Sequence, residues 1–225
     1  MTETPFWLEL LFGLTTLFSL ILMLRSTLKT KPVLLIILLW LAITGIAALS
    51  GFTQATSLPP RMLFLALIAF AGIVLLFATK KGRTFIDGLD PAKLTLVHTV
   101  RIPVEIVLFL LFTFGTIPEL MTFEGRNFDI LSGLSAPLIY YFGYRKKSIG
   151  PKLLIIWNFI CIGLLVNIVT HAILAAPFPF QQLAFDQPNR AVLYFPFVWL
   201  PVFIVPLVLF AHLVCLRNLF RKAVY

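Results

Sequence analysis

The chain has 225 residues, of which 60% are hydrophobic and only 12% charged, half the charged share of a soluble domain, about 25%. A chain this apolar cannot hide its surface from water, so lipid is its solvent and a soluble domain is excluded. The net charge of +9 does not signal nucleic acid, because the basic residues fall in short clusters between apolar runs, the pattern of cytoplasmic loops.

Seven apolar stretches approach the roughly 20 residues that a helix needs to cross a membrane. They lie near 6–24, 33–50, 62–79, 97–118, 128–144, 153–176 and 192–216, so the expected fold is an all-α integral membrane protein, a single bundle of seven transmembrane helices. Glu3 stands where a cleaved signal would carry basic residues, so the first run reads as a span. Arg25, Lys29 and Lys31 follow it. Lys80, Lys81, Arg83 and Lys93 separate spans three and four; Arg145, Lys146, Lys147 and Lys152 separate five and six; Arg217, Arg221 and Lys222 follow span seven. The opposite loops hold only Arg61, Arg126 and Arg190. The positive-inside rule therefore predicts an outer N-terminus and a cytoplasmic C-terminus, in what is expected to be the plasma (inner) membrane.

The fourth span opens on Asp90-Pro91, an N-cap followed by proline at the first helical position. At 100° per residue, His98, Arg101 and Glu105 fall within about 60° of one another on one face. If the helix runs straight into lipid, Glu105 lies near the midplane and needs a partner, for which Arg101, one turn away, is the obvious candidate. Pro103 cannot tolerate the Thr99 carbonyl in helical geometry, so a kink is expected there. The alternative starts the membrane helix at Pro103 and lays residues 91–102 along the inner surface, with His98 and Arg101 among headgroups and Glu105 in a first turn that favours its charge.

The two richest outer loops, PELMTFEGRNFDILSG (118–133) and PFQQLAFDQPNRAVL (179–193), carry Glu119, Glu124, Arg126, Asn127, Asp129, Asp186 and Arg190. The fifteen residues between Asp129 and Arg145 reach only about 23 Å as a helix, so the Asp129 end is recessed or the bilayer thins. A recessed polar loop makes a water-filled vestibule; the plainer reading is solvated loops with Asn127 capping helix five. In the sixth span Asn167 and His171 share a face toward the outer side, and Asn158 lies near the inner end, where an interhelical hydrogen bond is the simplest role. Pro196, Pro201 and Pro206 in the seventh span each loosen a carbonyl four residues earlier, those of Val192, Phe197 and Val202, and predict a bent helix.

Cys161 and Cys215 lie apart inside apolar runs and form no disulfide framework. Depth separates Ser135, in the outer half of span five, from His212, near the inner end of span seven, so a serine–histidine pair is not expected. No close grouping of metal-ligating residues is present, and the one conceivable cofactor is a haem between His98 and His212.

These features predict a protein that binds or transports a small solute or a proton. Its polar cavity would open outward and be lined by Glu119, Glu124, Arg126, Asp129, His171, Asp186 and Arg190. Beneath it would lie a buried polar pair, Arg101 and Glu105, with His98. One alternative is an intramembrane enzyme acting on a lipid or isoprenoid by acid–base chemistry through Glu124, Asp129 and His171; another is a structural subunit of a membrane complex. The expected partners are the bilayer and a small-molecule or lipid ligand.

Overall fold

The computed structural model describes residues 4–223, with side chains through Arg221. Among these residues the regular structure is entirely helical. Six helical segments are long and apolar enough to cross a membrane: Phe6–Arg25 (α1), Thr30–Leu49 (α2), Arg61–Ala78 (α3), a rod over Pro91–Thr113, Pro151–Leu174 (α8) and Leu200–Arg221. The rod consists of α5 (Pro91–Val97) and α6 (Arg101–Thr113). Between α3 and the rod lies the short α4 (Lys80–Asp87), and between the rod and α8 lies α7 (Ile130–Ile139). The last helix, α9, is regular over Val205–Ala223. Leu35, Leu39 and Leu67, on α2 and α3, are more than half exposed, an apolar outer face of the kind that only lipid can cover.

The rod starts as its sequence dictates. Asp90 Oδ1 accepts the backbone N–H of Ala92 at 3.0 Å and of Lys93 at 3.4 Å, with Pro91 at the first helical position. A single 3-10 turn, His98–Val100, joins α5 to α6. Pro103 follows it, so the chain tightens just where the proline ring would meet the Thr99 carbonyl. His98, Arg101 and Glu105 are all buried, and α5 packs against α1 and α9. Beyond the exposed Lys93, the segment 91–102 is therefore packed inside the protein and does not lie along a surface.

α7 has ten residues and runs directly into a six-residue π-helical turn, Tyr140–Arg145. Gly133 brings it close to the rod: a Cβ there would sit 2.9 Å from Ile102 Cγ1 and 3.3 Å from Arg101 Cβ.

The seventh apolar run differs from its sequence reading. Residues 192–199 are not a regular helix; a 3-10 turn covers Ala191–Leu193, and the helix begins in a π-helical turn at Leu200–Ile204. Pro196 stands ahead of the helix, Pro201 lies in its first wide turn and Pro206 is the second residue of α9. The prolines thus set the start of the helix, where a missing N–H costs least. The carbonyl of Val202, four residues before Pro206, accepts the indole N–H of Trp40 on α2 at 2.9 Å. Trp199 returns the contact, donating to the Leu41 carbonyl at 3.0 Å.

Candidate functional site

A continuous polar network crosses the interior where the rod, α7, α8 and α9 meet. Its centre is Arg101. One guanidinium nitrogen donates to Asp129 Oδ1 at 2.5 Å, and the other lies 3.1 Å from His212 Nε2. His212 Nδ1 is 2.8 Å from Asn158 Oδ1, while the Asn158 amide donates to the Leu154 carbonyl on its own helix. On the other flank, the backbone N–H of Asp129 donates to Asn127 Oδ1 at 3.0 Å. The Asn127 amide nitrogen donates to Glu105 Oε1 at 2.6 Å and to the Met121 carbonyl at 3.0 Å. All six residues are at most 5% exposed. A charge at such depth is stable only when paired and hydrogen-bonded, and Arg101 meets that condition through Asp129.

Arg101 therefore pairs with Asp129 on the neighbouring helix, whereas the spacing had suggested Glu105. The close approach at Gly133 carries the start of α7 down to the guanidinium, and Asn127 occupies Glu105. The Asp129 carboxylate thus ends in a buried ion pair.

His98 lies beside the network. Its ring stacks on His212 with centroids 3.7 Å apart and 18° between planes, and Trp157 closes on both at 5.5 and 5.6 Å. Face-to-face rings at this distance leave no room for a porphyrin plane, so the donor geometry does not fit the bis-histidine haem. Trp157 also donates its indole N–H to Ser135 Oγ at 3.0 Å. Ser135 and His212 thus flank one indole, nearer in depth than their places in the sequence imply, but the serine is engaged by Trp157.

The remaining residues expected to line an outer cavity do not converge. Glu119, Glu124, Arg126, Asp186 and Arg190 are exposed. His171 is half-buried, with Nδ1 2.8 Å from the Asn167 carbonyl one turn back. Two amides here pin loop backbone: Asn167 of α8 donates to the Arg126 carbonyl and Gln187 to the carbonyls of Phe112 and Ile117. Sequence reasoning undervalued Asn127 and His212, whereas the interhelical hydrogen bond expected of Asn158 is present, with His212 as its partner. Asn158 and His212 each sit alone in an apolar run, and a lone amide or imidazole there gives no sign of its partner.

A cavity of about 260 Å³ adjoins the network between α3, α6, α8 and the start of the last helix. Its wall is aliphatic, with Leu108, Leu165, Ile168 and Val192 among the lining residues, and its polar members are Glu105, Asp129 and Asn189. Two buried oxygens from this group have no hydrogen-bond partner, Glu105 Oε2 and Asn189 Oδ1. Unpaired buried acceptors cost about 1–3 kcal/mol each. Leu67, also on the wall, is mostly exposed on the outer face of α3, so the cavity borders the surface that faces lipid.

Comparison with curated proteins and with solved structures found no match. Residues 58–220, which hold every member of the network and of the cavity wall, match the model of a domain of unknown function, DUF8737, and the chain belongs to that family.

Proposed function

We propose that the chain is a seven-pass membrane protein that binds a small molecule inside the bundle, in the cavity beside Glu105 and Asp129. The observation that carries this reading is the pairing of an apolar cavity with a buried carboxylate whose second oxygen is unpartnered. Intramembrane ionisable residues are expensive and mark functional sites by default. The seventh crossing is α7 with its π-helical turn, short because its outer end is drawn in to Arg101. Fourteen of the eighteen basic residues then fall on one side, which supports an outer N-terminus and a cytoplasmic C-terminus.

Solute passage through an outer polar vestibule draws less support, since five of its seven candidate residues point to solvent. Transport remains compatible with the cavity if the bound molecule enters from the bilayer. Acid–base chemistry on that molecule is the second reading, favoured by the free Glu105 oxygen.

Native mass spectrometry of the protein purified in mild detergent tests the proposal. A stoichiometric adduct is expected on the wild type and not on Ala66→Phe, which fills the cavity from α3. A wild type without an adduct, and unchanged in stability when small amphiphiles are added, would overturn it. Chemical alteration of the bound molecule over time would favour the enzymatic reading.

A further inference from the structure

Resting on the reading of the cavity as a binding site, we infer that its ligand is an amphiphile of about ten heavy atoms whose head donates hydrogen bonds: an alcohol or an amine, not a carboxylate or a pure hydrocarbon. The size follows from the volume. A dry cavity of about 150 Å³ holds benzene, and this one is about 260 Å³.

The head group follows from what the wall lacks. Glu105 Oε1 is already taken by the Asn127 amide, which leaves Oε2 free; the Asn189 amide nitrogen donates to the Ala172 carbonyl at 3.1 Å, which fixes its Oδ1 as an acceptor, also free. Both residues are 1% exposed, so bulk water does not reach them. Arg101, the nearest strong donor, commits Nη1 to Asp129 and the Cys161 carbonyl and Nη2 to His212; its Nε has no partner, but the residue does not line the cavity. The cavity therefore offers free acceptors and an aliphatic body site. A donor head satisfies them; a carboxylate head would face the unpaired Glu105 carboxylate with no cation in the cavity wall, the arrangement that excludes a ligand by repulsion. The exposed α3 flank gives such a molecule access from lipid.

The test is thermal unfolding and calorimetric binding of the full chain in nanodiscs with four probes of one length: decane, 1-decanol, decylamine and decanoate. The inference expects 1-decanol or decylamine to bind about tenfold more tightly than decane or decanoate, the worth of one net hydrogen bond at its upper end. Asn189→Leu should remove part of that preference. Glu105→Gln keeps its one oxygen on the Asn127 amide and turns an NH2 donor to the free position, so it should weaken decylamine, which can only donate there, more than 1-decanol, whose hydroxyl can also accept. Equal binding of all four probes, abolished by Ala66→Phe, would overturn the donor-head inference and leave the cavity standing. Binding that Ala66→Phe does not alter would overturn the cavity reading itself.

Discussion

At the scale of single residues, Arg101 is the residue on which the interior depends. Removing one partner of a buried pair leaves a charge with neither water nor counter-ion, a loss of about 3–5 kcal/mol. Asp129→Asn is therefore expected to lower stability by that order in a detergent-solubilised unfolding assay. The double variant Arg101→Met with Asp129→Leu should lose less than the single one, because two apolar groups of similar volume need no partner. Gly133 provides a second test. A methyl group there presses on Ile102 and on the Arg101 stem, so Gly133→Ala should cost about 1–3 kcal/mol and loosen the pair that Gly133 lets form.

At the scale of elements, the short α4 is tied to the end of α9 by charge. Asp87 receives Arg217 at 2.9 Å and Arg221 at 2.6 Å. The Arg217 hydrogen bond, with Arg221 adding to it, holds the Asp87 carboxyl below its ordinary value of 3.8. A carboxyl whose folded pKa is depressed contributes stability above the unfolded value and loses it as pH falls through the folded one. Asp87→Asn should thus lower the unfolding temperature slightly at pH 7 and make no difference near pH 2; equal effects at both would contradict the pairing. The effect is small because surface pairs are screened. Elements of this kind were readable from sequence in different degrees. The start of the rod was, since Asp90-Pro91 is a local signal. The start of the last helix was not: hydropathy continues through Val192–Trp199, and only the three prolines hinted that the backbone there is not helical. What Pro206 releases at Val202 is used by Trp40, a contact 162 residues away in sequence, and no local pattern encodes it.

At the scale of the whole molecule, the apolar runs located the six long helices, because membrane burial acts on average composition. The convergence of Arg101 with Asp129 and His212 was not legible, since it depends on how three helices pack, and pairing by spacing within one helix pointed to Glu105 instead. The proposed topology has a direct check. Cysteines placed at Glu124 and Asp186 should react with a membrane-impermeant maleimide in intact cells, and cysteines at Lys147 and Ser148 only after permeabilisation. Native Cys161 and Cys215 are buried and should stay silent in both conditions. The central claim joins the two interior features: a polar network that leaves one carboxyl oxygen facing an apolar cavity. Infrared difference spectroscopy reads that junction most directly. Adding 1-decanol to the wild type should shift a carboxyl band that is missing from the spectrum of Glu105→Gln and unmoved in Ala66→Phe. An identical difference spectrum from all three proteins would contradict the account.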